Sequence, residues 1–209
     1  MPGRFNQDLE NEHKLAVFLD DNYYNNTSRF NDTLRIDRID DLDLQYKGVD
    51  LIITNKDTDI KTYIDEKAQS HYINKRLPTF AFELSYLKDG SLREGWLFDT
   101  HKITQQYFII TCIQEIDKQI QSCRLISIDR YKLISLLIAK NLTRENLAKY
   151  ENQYRDNGEY KKHIISELSG REGFLFYTEH LVEKPINVVF YLDYLIRQGI
   201  GVELFPCQL

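Results

Sequence analysis

An α/β fold, a mixed central β-sheet flanked by helices, is predicted from three features of this 209-residue sequence. A helix-periodic segment opens the chain. Two apolar, β-branched runs then flank a polar turn around Asp57, the signature of a β-hairpin. Further strand-like runs follow, interleaved with segments that carry helix caps.

Taken in order, Asp8 to Asp20 reads as a helix, with Leu9, Leu15, Ala16 and Leu19 at helical spacing. Asn22 to Asp32 is rich in turn residues and reads as a loop, and Leu34 to Tyr46 is strand-prone. The hairpin spans Gly48 to Gln69, and Ser70 to Arg76 is a polar loop or short helix. Thr79 to Tyr86 alternates as a strand, with Phe80, Phe82 and Leu84 on one face and a tight turn at Lys88-Asp89-Gly90. Trp96 leads into a loop around Thr100 to Thr104. Gln106 to Cys112 is expected to be a central strand and Leu125 to Ile128 a short one. Asp129 caps a helix over Arg130 to Lys140, and Thr143 begins another that ends near Arg155, broken by Asn157-Gly158. Gly173 to Tyr177 is a strand. Pro185 is placed in the first turn of a helix through Arg197, closed by Gly199, and Gly201 to Phe205 forms an edge strand.

Composition narrows the function classes. Hydrophobic content of 42% and charged content of 28% are those of a soluble globular protein. No apolar run approaches a membrane span, and the N-terminus lacks a signal-peptide pattern, so no membrane partner is expected. Three widely spaced cysteines make neither a disulfide framework nor a CxxC site, which points to a reducing cytoplasm. The five histidines show no zinc spacing, and no P-loop, GxGxxG or GxSxG is present. Asp41-Leu42-Asp43 matches the short DxD of nucleotide-sugar transferases with nothing else in support.

A net charge of −5 does not favour nucleic acid, but charge is unevenly spread. Asp37, Asp40, Asp41 and Asp43 cluster before the hairpin, while Lys67, His71, Lys75 and Arg76 make a basic run after it. A second basic set, from Lys132 and Lys140 through Arg144, Lys149 and Arg155 to Lys161 and Lys162, reads as solvated helix faces.

The chemistry lies in the hairpin. A turn centred between Asp57 and Thr58 puts Asp50 directly across from Asp65. Alternation sets Asp65, Lys67 and Gln69 on one side of their strand. Opposed carboxylates destabilise a sheet unless a cation neutralises them. An ordinary solvated ribbon with cross-strand ion pairs is the bland alternative, but these acids sit inside apolar runs, where an unpaired charge is costly.

On these residues the chain resembles the PD-(D/E)XK nuclease superfamily. Asp50 matches the first acid, Asp65 the second and Lys67 the lysine, with Gly48-Val49 as the lead-in and Gln69 as the trailing glutamine. The proline that often precedes the first acid is absent. The motif covers positions 45 to 70. The resemblance implies a restriction-endonuclease-like core, approximately residues 5–130 of a single domain, with a C-terminal helical elaboration over 131–209. It implies a metal-dependent DNA endonuclease of restriction or phage-related type. Mg²⁺, with Mn²⁺ substituting, would be held by Asp50, Asp65 and the Glu66 backbone carbonyl, joined by Glu12 from the first helix with Glu10 in reserve. The Glu66 side chain is expected on the opposite face. Lys67 would activate water and Gln69 would position it. DNA is the implied partner, RNA the alternative, and such enzymes often act as homodimers. A recombination or repair nuclease and a catalytically silent binding protein are the competing readings. Glu83 is either a further site residue or an outward-facing strand acid.

Overall fold

The computed structural model describes residues 3–25 and 33–207, with the side chains of the opening helix described from residue 10 onward. In chain order the elements are α1 (Gly3–Leu19), β1 (Leu34–Arg38), α2 (Leu42–Tyr46), β2 (Leu51–Asn55), β3 (Lys61–Ala68), β4 (Thr79–Lys88), β5 (Ser91–Glu94), β6 (Gln106–Ile116) and β7 (Gln119–Asp129). There follow α3 (Arg130–Ala139), α4 (Arg144–Asn157), β8 (Lys161–His163), β9 (Gly173–Tyr177), β10 (Ile186–Tyr191), α5 (Leu192–Arg197) and β11 (Gly201–Phe205). The class is mixed α/β. The chain forms two compact units, one of Met1–Leu77, Ile103–Ile128 and Val202–Leu209, the other of Pro78–Lys102 and Asp129–Gly201.

The first unit is built on a six-stranded sheet in the order β1-β2-β3-β6-β7-β11. β1, β2 and β3 are antiparallel neighbours, whereas β3 and β6 run parallel, so the sheet is mixed. The expected centrality of Gln106 to Cys112 is met: Tyr107 to Ile113 are buried without a break, as a strand covered on both faces requires. α1 lays Leu15 and Leu19 against Leu51, Ile64, Phe108 and Ile110. A π-helical turn, Asp20–Tyr24, carries the chain off α1 and adds Tyr23 and Tyr24 to that core. The expected loop at 22–32 is thus ordered at its start, and residues 26–32 lie outside those described. β11 closes one edge of the sheet, as expected.

The second unit is an antiparallel five-stranded sheet, β5-β4-β10-β9-β8. Phe80, Phe82 and Leu84 of β4 are buried, in the predicted alternation. α4 covers one face, where Tyr154 stacks on His163 with ring centroids 3.8 Å apart. Both helix caps form as expected. Asp129 accepts from the Lys132 N–H, Thr143 accepts from the Asn146 N–H, and Gly158 at φ 62° ends α4.

Three expectations are corrected. Leu34 to Tyr46 is not one strand, because Asp41 accepts the Leu44 N–H and starts the short helix α2. The strand at Leu125 begins at Gln119, paired back through a two-residue turn in which Asp117 and Lys118 both have positive φ. Pro185 starts no helix: Ile186 to Tyr191 is strand β10, hydrogen-bonded between β4 and β9, and only Leu192–Arg197 is helical. Consequently the region after residue 131 carries the four strands β8 to β11 beside its three helices.

Candidate functional site

Local sequence builds the hairpin. Gly48, at φ 75°, takes the chain out of α2 in a conformation that favours glycine, and its carbonyl is held by the Thr104 hydroxyl. Asp50 stands one residue before β2, its N–H bonded to the Ile64 carbonyl and its carbonyl to the Ile39 N–H. Leu51 pairs with Ile64 and Ile53 with Thr62, which is the register expected from a turn between Asp57 and Thr58. Asn55 carries a further local signal for the turn. Its Oδ1 accepts from the N–H groups of both Asp57 and Thr58, and it nucleates the turn.

On one flank of β3 the structure gathers the predicted residues. Lys67 Nζ lies 2.6 Å from Asp65 Oδ1, and the Asp65 side chain is only 4% exposed. Asp50 Oδ2 accepts the Glu66 N–H at 2.7 Å. Both backbone groups of a strand residue point the same way, so the Glu66 carbonyl faces this flank as well. Burial pushes the Asp65 carboxyl up to about 6; Lys67 works against that, and the charge and hydrogen bond of Asp50 add to it. Gln69 accepts from the Thr111 hydroxyl. Thr111 follows Tyr107 and Ile109 at strand spacing, and these are the residues that pair with Asp65 and Lys67. Asp65, Lys67 and Gln69 therefore share a face.

The Glu66 side chain points to the other face, as expected, and there it meets residues that no local pattern had marked. Tyr24 Oη and Arg38 Nη1 each donate to it at 2.6 Å, and Arg38 also holds Asp20 at 2.7 Å. Burial raises the Glu66 carboxyl, with Arg38 and Tyr24 opposing it. Burial alone would weaken the Arg38 charge, but Asp20 and Glu66 outweigh it and raise its pKa.

Glu12 is not brought to this flank. It is exposed on α1, which packs on the face of the sheet bearing Ile64 and Glu66, opposite Asp65. Glu10 is exposed and paired with Lys14 at 2.7 Å. Glu83 lies half-buried on β4 across from Asn187, in the other unit. Asp41 is accounted for as a helix cap. Among the described residues no three His, Cys, Asp or Glu side chains converge at metal-holding spacing. Two carboxylates and a carbonyl are hard oxygen donors of the kind Mg²⁺ accepts, since that ion keeps several waters and needs only one or two carboxylates. The donor set does not suit a closed zinc site.

The class that fold and flank define is a mixed α/β protein with two aspartates, Asp65 buried and Asp50 half-buried, and a lysine at the mouth of a hairpin. Compared with known protein families, with curated proteins and with solved structures, the chain matches none.

Proposed function

We propose that the chain is a Mg²⁺-dependent DNA endonuclease with a restriction-endonuclease-like core in its first unit. The observation that carries the reading is the convergence of Asp50, Asp65 and Lys67 on one flank of the hairpin, with Asp65 buried and Lys67 2.6 Å from it. Phosphodiester hydrolysis needs an activated water, neutralisation of charge on the phosphoryl oxygens and help for the leaving oxygen. Asp50, Asp65 and the Glu66 carbonyl would hold the ion, which supplies Lewis acidity and a more acidic bound water. Lys67, paired with Asp65 in the free protein, has the charge to orient the water and stabilise the phosphoryl oxygens. Gln69, fixed by Thr111, borders the same flank and would position the water. Three free cysteines, two of them buried, suit a reducing cytoplasm. Action as a homodimer on both strands completes the reading.

Plasmid nicking and linearisation with Mg²⁺ or Mn²⁺, beside EDTA and the Asp65→Ala and Lys67→Ala variants, tests it. Metal-dependent cleavage is expected, with each substitution lowering the rate by at least about 100-fold. Discrete fragments would mark a restriction enzyme, and preference for branched DNA a recombination or repair nuclease. Cleavage that survives both substitutions would remove the assignment. Inactivity on duplex, single-stranded and branched DNA and on RNA would leave a nuclease-like binding protein as the better account.

A further inference from the structure

The sheet of the second unit has a face that the nuclease reading does not use. Core-facing residues of β9 and β10, Leu175, Val188 and Phe190, are buried. Alternation turns Phe174 and Phe176 to the other side, where both remain half-buried. Register extends that face across the sheet: Phe174 pairs with Val189, which pairs with Ala81, and Phe176 lies between Lys162 and Asn187. In the row beside Phe174, Val189 is buried and Ala81 exposed. Lys162 Nζ lies 4.1 Å from the Phe174 ring centroid.

We propose that this face binds an unpaired DNA strand, with Phe174 and Phe176 stacking two successive bases and the exposed Lys162 side chain leaving the Phe174 ring to meet the phosphate backbone. Two aromatic rings two residues apart on one strand, rimmed by lysine, form a stacking platform of the kind that single strands use and duplexes cannot. Charge complementarity argues for a polyanion. β8, β9 and β10 contain no acidic residue, while β8 is Lys161-Lys162-His163 with both lysines exposed. Glu83, on β4, is separated from Phe176 by Asn187. Asn187 has the donor and acceptor to touch a base edge. Ala81 and Val189 offer no hydrogen bond that would reward a ribose 2′-hydroxyl, and the 5-methyl group of thymine adds apolar contact that uracil lacks, which favours the DNA strand.

The test is fluorescence anisotropy of the full chain with short labelled oligo(dT), oligo(U) and duplex DNA, all in EDTA. Tightest binding is expected for oligo(dT). Phe174→Leu with Phe176→Leu, which keeps apolar volume while removing both π-faces, should weaken it by about 10-fold or more. Lys162→Gln, at an exposed position, should reduce the salt slope by about 0.7. EDTA throughout removes metal-dependent cleavage, so the result does not depend on nuclease activity. Photocrosslinking of the wild-type chain to an iododeoxyuridine strand should label the Gly173–Tyr177 peptide, which needs no folded variant. Unchanged binding by the double leucine variant, a preference for oligo(U) or duplex, or crosslinks confined to other peptides would overturn the proposal.

Discussion

Asp65 is held where its charge is opposed, and the consequence can be read as stability. Its folded pKa of about 6 stands above the ordinary 3.8, so the folded state binds the proton more tightly than the unfolded chain. The protonated carboxyl's contribution is therefore complete below 3.8 and is lost as pH rises through about 6. Comparing urea unfolding of wild type and Asp65→Asn in EDTA isolates this term. Between pH 4.5 and 7.5 the wild type should lose roughly 2 kcal/mol relative to the variant; parallel pH curves would refute the assignment. At pH 7.5, Mg²⁺ should raise the Tm of wild type and leave that of Asp65→Asn unmoved. Arg38 offers a second prediction. Replacing it by Met leaves Glu66 buried with Tyr24 but without its cation, and should cost about 2–4 kcal/mol. Adding Glu66→Leu should restore most of that loss, because the charge then left without its cation, Asp20, is partly exposed to water. A cost below about 0.5 kcal/mol for Arg38→Met would show the cluster to be energetically idle. Asp50, Asp65 and Lys67 were legible because strand alternation and turn position are local. Tyr24, Asp20 and Arg38 were not, because they come from three separate segments that only packing brings to Glu66.

At the scale of the element, local chemistry and tertiary pairing divide the credit. Helix α4 follows from its own residues: Thr143 satisfies an end N–H, and Gly158 adopts the left-handed conformation that ends the helix. Thr143→Ala should lower stability by about 1 kcal/mol, checked by thermal or urea unfolding, whereas Thr143→Asp should be nearly neutral. β10 shows the opposite case. Ile186 to Tyr191 follows a proline that suits a helix start, yet the run is rich in β-branched and aromatic residues and has β4 and β9 on either side. Hydrogen bonding to two neighbours decided its form. The early half of β7, Gln119 to Arg124, was unreadable for a related reason: its polar residues gain strand character from the tight Asp117-Lys118 turn that folds it back on β6. Asp41 misled in the other direction, since an N-cap and an outward strand acid look alike until the Leu44 N–H is seen to reach it.

For the molecule as a whole, the two compact units are interleaved along the chain. β4 and β5 of the second unit sit within the long connection that joins the parallel strands β3 and β6 of the first. A fragment ending at residue 130 would leave β4 without β10 and the first sheet without β11. It should therefore bind a hydrophobic dye and show poorly dispersed amide resonances, while the full chain unfolds cooperatively. A well-dispersed, dye-negative fragment would mean that the first unit is self-sufficient. By itself the sequence determined the mixed α/β class, the hairpin with its register, the shared face of Asp65, Lys67 and Gln69, and the caps of α3 and α4. Each depends on residues near one another in the chain, where periodicity and hydrogen-bonding side chains act directly. Tertiary structure alone decided the strand order of both sheets, the strand character of β10, the clamp on Glu66 and the placing of Glu12 on the face opposite Asp65. Those outcomes depend on which distant segments are buried against one another, and chain-local preference carries no record of that.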